Sequence, residues 1–496
     1  MKTLWKKEDA SILAKAREFL LHENIDAYLV GGYIRDSMLG HPTRDIDIAV
    51  SAPATEVAQR LASALTGRYV LLDEAHGIAR VVLLENDGTP GSRWHIDFST
   101  IRGGIEEDLY HRDLTVNAMA VNLRQPEAIS AACLIDPFQG KADLQEGLLR
   151  AVSDSAFQED PARLLRAVRL AAEYGFVIEQ HTEALIRSHS HLICDIASER
   201  VREELCRLLS IKNAAQYLYY LDQLGLLTAI IPELAHTKGV EQPIEHFWDV
   251  FRHSIETVAA FERLVQRRDS EQEDVILSQL PHIPDLQQHF QEEVSGGVTR
   301  AVLAKMAALL HDIAKPQTKT IEPNGRARFL GHTKEGAVMA GHIAQRLRFS
   351  TKETKMIQNM VQSHLRLWQM GNEEKPTHRA IYRFFRDMGD TSLDITVLTL
   401  ADFLAAQGPN LDLEEWQRHC QTMQYIWSEH EQEQARAVPH KLIDGNDLIN
   451  IFGLKPGPEI GHLLEAMREA QGIGEISTRE EALAFARRQL VSSRNE

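Results

Sequence analysis

The feature that most constrains the fold is a strand, a glycine turn and a second strand packed into a short stretch near the N-terminus. Residues 28–50 read YLVGGYIRDSMLGHPTRDIDIAV. The apolar runs YLV and IDIAV predict strands, and YIRDSMLG between them predicts a short helix that follows the glycines. Runs typical of strands and helices continue to alternate up to residue 100. This alternation predicts an α/β unit.

The second of these strands carries two carboxylates on one face. Asp45 and Asp47 are two residues apart, so their side chains point the same way while Ile46 and Ile48 face the core. Paired carboxylates suit Mg²⁺, which takes phosphate oxygens and water as its other ligands. Asp97, in the middle of the predicted strand WHIDFST, is the candidate third carboxylate. The sequence therefore predicts a site for two metal ions about 3.5 to 4 Å apart.

The glycine turn predicts a phosphate-binding site beside these carboxylates. Gly31 and Gly32 have no side chains, so their backbone amides could approach a triphosphate near a helix N-terminus. Arg35 would add a charge-assisted contact to phosphate. A VGG segment alone is usually only a turn, and a DxD pair alone is as often a solvated strand edge. The combination of GGxxRD with DxD nine residues further on is far more specific.

Length and cysteine usage narrow the class of protein. A chain of 496 residues is too long for one core, which predicts several domains. No apolar run approaches the roughly 20 residues that cross a bilayer. The start, MKTLWKKEDASILAKAREFL, predicts an amphipathic helix rather than a signal peptide, so we predict a cytoplasmic protein without a membrane partner.

The cysteine spacing argues against a zinc site and against disulfides, because the four cysteines form no CxxC pair. They are predicted to be buried thiols: Cys133, Cys194, Cys206 and Cys420.

The charge distribution is uneven. The formal net charge of -17 disfavours nucleic-acid binding, because such proteins usually carry a basic surface. Residues 269–294 hold seven acidic residues and no Lys or Arg, whereas RLLRAVRLA and SERVREELCRLLSIK are rich in arginine. A local basic groove on an otherwise acidic protein is therefore an alternative that the sequence leaves open. The acidic segment is interpreted as a solvated loop or frayed helix without a chemical role.

Three motifs in order resemble one enzyme family. GGYIRDSMLGHPTRDIDIAV resembles the opening motif of class II tRNA nucleotidyltransferases and bacterial poly(A) polymerases. EEDLYHRDLTVNAMAV resembles the second motif of that family, and EDPARLLRAVRLAAEYGF resembles its template helix. The resemblance covers residues 28 to about 215. It implies an α/β head of the polymerase beta type with a small mixed sheet over residues 1–150, followed by mostly α-helical domains.

The resemblance also implies roles for individual residues. The DxD aspartates would be catalytic and hold Mg²⁺, and Asp97 matches the third carboxylate in a looser motif. The RRD of the family reads HRD here. Arg112 and Asp113 match and are expected to contact phosphate and ribose, whereas His111 replaces the first arginine. CTP and ATP are the implied substrates, and the tRNA 3′ end is the implied partner.

The template motif holds two acids and two arginines. Taken alone, EDPARLLR predicts a helix that starts near Pro161, with Glu159 and Asp160 complementing the helix dipole. The resemblance implies that Asp160 and Arg163 hydrogen-bond the Watson–Crick edge of the incoming base. Glu159 would support this pair, and Arg166 would lie nearer the phosphates.

The nucleotide range is open at this point. Only 13 residues, FSTIRGGIEEDLY, separate Asp97 from the HRD motif. Full CCA-adding members of the family usually carry a longer flexible loop here, so the short segment favours CC addition. Poly(A) polymerase or A-adding activity are alternatives with the same chemistry. An alternative of another class is a phosphohydrolase whose head senses nucleotides.

The second half of the chain contains a set of metal-ligating residues. His253, the adjacent His311 and Asp312 in HDIAKP, and Asp402 follow one another in the order typical of HD phosphohydrolase domains. His332 in FLGHTKEGA strengthens this resemblance. It implies a divalent ion bound by imidazole and carboxylate groups, with transition metals among the candidates.

We predict four domains from these motifs and from changes in periodicity. They are a nucleotidyltransferase head at 1–150, a helical nucleotide-selecting and tRNA-binding region at 151–240, an HD domain at 241–412 that includes the acidic insertion, and a C-terminal helical region at 413–496. An alternative for the HD domain is a scaffold that cradles tRNA without activity. The sequence makes no prediction of the oligomeric state.

Overall fold

A computed structural model describes residues 9–74, 77–84, 93–101, 103–125, 133–265, 275–281, 286–371, 375–435 and 442–492. The chain divides into two compact units. The first comprises residues 1–208 and 220–230, and the second comprises residues 209–219 and 231–496. Within the described ranges, no helix combines the length and apolar character needed to span a bilayer.

The first unit is built around one mixed sheet. Its strands are β1 (Ala27–Val30), β2 (Asp45–Val50), β3 (Arg68–Asp73), β4 (Ile78–Leu84), β5 (Arg93–Thr100), β6 (Ala120–Asn122) and β7 (Leu134–Ile135). They lie in the order β3-β4-β5-β2-β1-β6-β7. Strands β2 and β5 are parallel, and the other neighbours are antiparallel. This arrangement confirms the predicted α/β head with a mixed sheet.

Short helices connect these strands and cover the sheet. They are α1 (Asp9–His22), α2 (Gly32–Leu39), α3 (Ala54–Ala64), α4 (Ile105–Tyr110) and α5 (Gly140–Glu146). The apolar face of α3, with Val57 and Leu61, packs on β4 and β5. Ile46 and Ile48 of β2 are fully buried, so Asp45 and Asp47, which alternate with them along the strand, face away from this core.

A helical region completes the first unit. It contains α6 (Ala156–Glu159), α7 (Ala162–Tyr174), α8 (Gln180–His189), nearly all of α9 (Ser198–Ser210) and, in chain order after α10 (Ala214–Gln223), α11 (Leu226–Ile230), with a parallel pair of short strands, β8 (Leu148–Leu149) and β9 (Val177–Ile178). Residues 214–219 of α10 belong to the second unit, and its last turn from residue 220 belongs to the first. The sequence predicted Glu159 in the first turn of the helix that starts near Pro161. In the structure Glu159 instead ends α6, before Pro161. Asp160 between them is extended, because a residue before proline avoids the helical conformation.

The second unit is almost entirely helical, which confirms the predicted class. Its helices are α12 (Val250–Val265), α13 (Val275–Ser278), α14 (Leu286–Gln291), α15 (Arg300–Leu310), α16 (Lys315–Thr318), α17 (His332–Arg346), α18 (Thr351–Ser363), α19 (Arg366–Gly371), α20 (His378–Met388), α21 (Ser392–Gln407), α22 (Leu413–Ala435), α23 (Gly445–Phe452), α24 (Pro458–Gly472) and α25 (Arg479–Ser492). Two small hairpins pair β10 (Glu293–Ser295) with β11 (Val298–Thr299) and β12 (Thr320–Ile321) with β13 (Ala327–Arg328).

Helix α21 forms the centre of this unit. Its sequence, SLDITVLTLADFLAAQ, is apolar on nearly every side, which is typical of a buried helix. It packs against α12, α15 and α18. The last three helices, α23 to α25, share a separate apolar cluster that includes Leu448, Leu463 and Phe485.

Part of the acidic segment is packed, so its interpretation as a solvated loop is wrong for α14. Phe290 is buried and makes an edge-to-face contact with Phe261 of α12, with the ring centroids 4.9 Å apart. Apolar burial of this side chain outweighs the acidic composition around it. Residues 269–274 and 282–285 lie outside the described residues.

The four cysteines, all within the described residues, form no disulfide, and they are not all buried as the sequence predicted. Cys206 and Cys420 lie in the interior, and Cys133 is half-buried. Cys194 is exposed, which corrects the prediction for that residue.

Candidate active site and candidate metal centre

The three predicted carboxylates lie on one face of the sheet in the first unit. Strands β2 and β5 are parallel and in register, with Asp47 opposite Asp97 and Asp45 opposite His95. Residues opposite one another in a ladder share a face of the sheet. Val30, at the end of β1, lies opposite Asp47 on its other side. The glycine turn therefore begins beside the central carboxylate.

The protonation of Asp47 reflects this crowding. Burial raises the pKa of Asp47 to about 6, and the negative charges of Asp97 and Asp45 act in the same direction. Arg112 and Arg166 oppose the shift without cancelling it. The central carboxylate thus carries a charge that protein groups only partly offset, which is the setting in which a bound cation is favourable.

Each outer carboxylate has a nitrogen-bearing side chain as its partner on a neighbouring position of the sheet. Arg80 of β4 donates from Nε and Nη2 to the two oxygens of Asp97, at 2.6 and 2.8 Å. The Nδ1 atom of His95 lies 3.0 Å from Oδ1 of Asp45. Neither Arg80 nor His95 was predicted from the sequence. The sequence pattern that could have indicated Arg80 is a single arginine in the otherwise apolar run ARVVLL.

Gly31 brings backbone, carboxylate and arginine together. Its φ of 71° lies in the left-handed region that favours glycine. A Cβ atom at this position would lie 2.8 Å from Oδ2 of Asp47 and 3.0 Å from Nη1 of Arg112. Gly32 then begins α2. The absence of a side chain at residue 31 therefore permits the close approach of Asp47 to the turn.

Arg35 lies in a buried network of protein groups. Its Nε and Nη2 donate to the carboxylate of Asp36 at 2.9 and 3.0 Å, and its Nη1 donates to Oδ1 of Asn117 at 2.6 Å. The hydroxyl of Tyr174 lies 2.8 Å from Nη2 of Arg35 and donates to Asp36 at 2.6 Å. The guanidinium is thus occupied inside the protein, and its surroundings favour a structural role over the predicted phosphate contact.

The HRD segment places Asp113 against helix α7. Oδ1 of Asp113 accepts hydrogen bonds from the amide of Leu114 at 2.8 Å and from Nδ2 of Asn117 at 3.0 Å. Nε of Arg166 lies 2.9 Å from Oδ2. Burial tends to raise the pKa of Asp113, but Arg166 and these hydrogen bonds outweigh it and lower the pKa below its usual range. Asp113 is therefore held ionised.

Arg112 keeps donor capacity at the site. Its Nη2 donates to Asp108 at 3.3 Å, and its Nε is buried without a hydrogen-bond partner among the described residues. The same side chain approaches Asp47 and Gly31. These contacts leave Arg112 able to bind an anion beside the carboxylates.

The predicted base-selecting residues are each held by other elements. Arg200 of α9 donates to both oxygens of Asp160, at 2.9 and 2.7 Å. Arg163 donates to the carbonyl oxygen of His111 at 2.6 Å. Glu159 lies 3.2 Å from Nδ1 of His111. Arg200 was not predicted from the sequence, although it lies in the arginine-rich segment SERVREE.

A second cluster lies in the second unit, where all four predicted HD ligands meet. Nε2 of His253 lies 2.9 Å from Oδ1 of Asp402 and 3.1 Å from Nε2 of His311. Nε2 of His311 lies 3.1 Å from Oδ2 of Asp312. The side chains of His253, His311 and Asp312 are buried, and Asp402 is largely so.

Two further histidines complete this cluster. Nε2 of His332 lies 3.4 Å from Oδ1 of Asp312, and Nε2 of His364 lies 3.9 Å from the same oxygen. His332 was identified from its motif, whereas His364 was not. His364 follows α18, and no sequence pattern distinguishes it from an ordinary helix-terminal histidine.

Backbone carbonyl groups set the orientation of three of these rings. Nδ1 of His311, His332 and His364 lies 2.8, 2.7 and 2.8 Å from the carbonyl oxygens of Ala308, Phe329 and Val361, respectively. A carbonyl oxygen only accepts, so Nδ1 carries the hydrogen, and Nε2 of each ring, once it carries no proton, offers its lone pair to the cluster. Metal-binding histidines commonly show this arrangement. The donors therefore fit a divalent ion.

Comparison with known proteins finds four family profiles that match parts of the chain. The family profile described as "Poly A polymerase head domain" matches residues 27–150, and "Probable RNA and SrmB- binding site of polymerase A" matches residues 175–237. "HD domain" matches residues 250–407, and "tRNA nucleotidyltransferase domain 2 putative" matches residues 335–486.

Full-length relatives decide the family. The A-adding tRNA nucleotidyltransferase of Deinococcus radiodurans is 33% identical, over 93% of this chain and 95% of that protein. The chain belongs to the tRNA nucleotidyltransferase family. Within the family, the CC-adding tRNA nucleotidyltransferase of Thermus thermophilus is 31% identical, over 94% of both proteins.

Solved structures of tRNA nucleotidyltransferases share the fold. The Thermotoga maritima CCA-adding enzyme complexed with tRNA superposes with a TM-score of 0.61, at 24% identity over 98% of each chain. A CCA-adding enzyme in complex with CTP gives 0.63, at 21% identity over 98% of this chain and 95% of the other. These findings confirm the predicted family, fold class and enzyme class. The roles of individual residues and the four domain boundaries stay predictions.

Proposed function

We propose that this nucleotidyltransferase adds nucleotides from CTP or ATP to the 3′ end of tRNA. The observation that carries the proposal is the in-register placement of three carboxylates on β2 and β5 beside the Gly31 turn and Arg112. The family relationship supports the substrate class, because the relatives are named as tRNA nucleotidyltransferases. A cytoplasmic location goes with this substrate.

We assign Asp45, Asp47 and Asp97 as the groups that would hold Mg²⁺. Three carboxylates on one face provide the oxygen ligands that Mg²⁺ prefers, and the raised pKa of Asp47 reflects a burial that a cation would relieve. When bound, the ions stabilise charge on the triphosphate and activate the attacking hydroxyl.

The residues of the chain act by positioning and by charge stabilisation. The 3′ hydroxyl of tRNA loses its proton to Asp97 or to water and attacks the α-phosphate. A new phosphorus–oxygen bond forms, the bond from the α-phosphorus to the oxygen of the β-phosphate breaks, and pyrophosphate leaves. Arg112 offers donors to the phosphates beside the Gly31 turn, and Asp113, held ionised by Arg166, is placed to accept from the ribose. No covalent intermediate with the protein is needed.

We propose that Asp160 and Arg163 select the base. A carboxylate accepts from an exocyclic amino group and a guanidinium donates to a ring nitrogen or carbonyl, so the pair favours C and A over U and G. The bidentate contact with Arg200 fixes the plane of the Asp160 carboxylate. Oδ1 also accepts from the amide of Ala162 at 3.2 Å, so Oδ2 is the oxygen that keeps a lone pair for the base.

We further propose CC addition, on the ground of the short segment between Asp97 and the HRD motif. The family relatives include both A-adding and CC-adding enzymes, so the segment length is the distinguishing observation. Poly(A) polymerase shares the chemistry but extends its primer without stopping. Ordered addition that halts after one to three nucleotides separates the two.

The test uses three tRNA transcripts, ending before C74, after one C and after CC. Each is incubated with Mg²⁺ and CTP, ATP or both, and the products are resolved to single nucleotides. Addition that halts at CC with ATP present supports the CC assignment. Addition of A76 contradicts the inference from segment length, and no addition to any transcript contradicts the proposed function.

A second activity is favoured by the cluster around Asp312. We propose that His253, His311, Asp312 and Asp402, joined by His332 and His364, bind a divalent metal and hydrolyse a phosphate ester. Imidazole and carboxylate donors suit transition metals. Hydrolysis of bis(p-nitrophenyl) phosphate that requires added metal and is absent in Asp312→Ala would support this activity. Equal rates in the two proteins would favour a scaffold role.

A further inference from the structure

Arg80 lies on the carboxylate-bearing face of the sheet in the first unit. It is the antiparallel register partner of Asp97, and Asp97 is the parallel register partner of Asp47. The three side chains therefore follow one another across β4, β5 and β2 on the same face. This row places a permanent cation at the outer side of the catalytic carboxylates.

The contact between Arg80 and Asp97 is bidentate. Nε and Nη2 of Arg80 donate to the two carboxylate oxygens at 2.6 and 2.8 Å. The arginine and aspartate side chains are 33% and 23% exposed, so water competes only in part. A planar guanidinium that binds both oxygens fixes the plane of the carboxylate as well as its position. A lysine could supply the charge but not this orientation.

The charge of Arg80 acts on the whole row. The hydrogen bond from Arg80 to Asp97 raises the pKa of the arginine, and the charges of Asp97, Asp45 and Asp47 add to this effect against burial. Asp97 in turn contributes to the raised pKa of Asp47. Without Arg80, repulsion between Asp97 and Asp47 would favour rotation of the outer carboxylate away from the central one.

The other outer carboxylate is held less firmly. His95 makes one contact with Asp45, whose side chain is 69% exposed, and a histidine carries charge only when protonated. Arg80 therefore carries most of the constraint at this site.

We propose that Arg80 is a positioning residue of the nucleotidyl-transfer site. It holds Asp97 in the orientation in which this carboxylate, together with Asp47, can bind a divalent ion, and it offsets the repulsion between the two. This inference rests on the proposed function and adds to it a residue that does not touch the reacting atoms.

The test compares Arg80→Gln and Arg80→Lys with wild type and with the control Arg93→Gln, which changes an exposed arginine on β5. Free Mn²⁺ is measured by electron paramagnetic resonance in the presence of an unreactive CTP analogue. Binding that survives in Asp47→Asn is assigned to the second unit and subtracted. Nucleotide incorporation is measured in parallel at saturating CTP.

We expect Arg80→Gln to weaken Mn²⁺ binding in the first unit, and to slow incorporation, by about 10- to 100-fold. Arg80→Lys should fall between Gln and wild type, and Arg93→Gln should match wild type. Mn²⁺ binding in Arg80→Gln equal to that of the control would overturn the proposal. If Arg80→Gln does not fold, wild-type binding in Arg80→Lys would overturn it instead, since lysine cannot orient the carboxylate.

The two readouts separate this inference from the proposed function. Failure of wild type to extend any tRNA would contradict the proposed function, whereas the Mn²⁺ measurement would still report whether Arg80 positions Asp97. Normal extension by wild type with unchanged Mn²⁺ binding in both Arg80 variants would overturn the inference alone.

Discussion

The two candidate metal sites differ in how far they are assembled. Around Asp312, several groups of three ligand atoms lie within 4.8 Å of one another, and among the described residues these are the sets that meet this spacing. In the first unit, Asp97 is bound to Arg80 and Asp45 contacts His95. Lys315 also lies close to the HD cluster, with its Nζ 2.6 Å from Oδ2 of Asp312, so the two sites differ in the number of convergent ligand atoms and not in whether a protein cation lies nearby. The HD cluster is thus preorganised for a metal by itself. The carboxylate site is suited to ions that arrive with the triphosphate, whose oxygens complete their coordination.

The largest expected effect is the loss of nucleotide incorporation when Asp47, in the carboxylate site, is replaced. We expect Asp47→Ala to lower nucleotide incorporation by about 10³-fold or more, because the central ligand of the site is lost. Binding of tRNA, measured by filter retention, should persist. Asp312→Ala is the control and should incorporate normally. Retained activity in Asp47→Ala would sink the assignment of the site.

The next effect concerns metal that is bound without nucleotide. Wild-type protein passed through a desalting column with a divalent transition metal should keep it, because the ligands around Asp312 are already convergent. Asp312→Ala should lose it, while Asp47→Ala should keep it. Metal content is measured by mass spectrometry of the protein fraction. Equal loss from both variants would show that the two sites do not differ in preorganisation.

A smaller effect sharpens the description of the HD cluster. We expect His364→Ala to weaken metal binding by about 10-fold, because one imidazole donor is removed while the remaining ligands stay. His342→Ala is a matched control, since His342 is an exposed histidine on α17. Competition with a chromophoric chelator gives the affinities. Identical values for the two variants would remove His364 from the ligand set.

The smallest effect is a pH dependence of stability in the metal-free protein. The pKa of Asp47 is about 6 when folded, against an ordinary value of 3.8, so the folded state binds the proton more tightly. Stability therefore falls as pH rises from 3.8 to 6 and stays lower above that window. In excess chelator at pH 7.5, Asp47→Asn should be more stable than wild type by about 1 to 2 kcal/mol. The melting temperatures should converge near pH 4, and a constant difference would contradict the shift.

Local sequence patterns were sufficient for the elements that carry the site. Strands β1, β2 and β5 and helix α2 were predicted because their apolar periodicity and the adjacent glycines act over a few residues. The order of His253, His311, Asp312 and Asp402 predicted a cluster that the structure brings together. Asp45 and Asp47 were placed on one face by the two-residue period of a strand. Asp97 was predicted as the third carboxylate, and the register of β2 and β5 puts it on that face.

The residues that hold these groups could not be predicted in the same way. Arg80 reaches Asp97 through an antiparallel register, and Arg200 reaches Asp160 from 40 residues further along the chain. His364 joins the cluster only because α18 packs beside α15. Such partners depend on tertiary contacts, which leave no periodic signal in one sequence.

The network around Arg35 has a consequence for dissecting the molecule. Hydrogen bonds and ion pairs run without a break from Asp36 through Arg35, Asn117 and Asp113 to Arg166 on α7. A fragment that ends at residue 150 would cut this connection and leave the carboxylate of Asp113 without its arginine. The predicted head therefore depends on a helix outside its own boundary, and its minimal autonomous folding unit extends at least through α7.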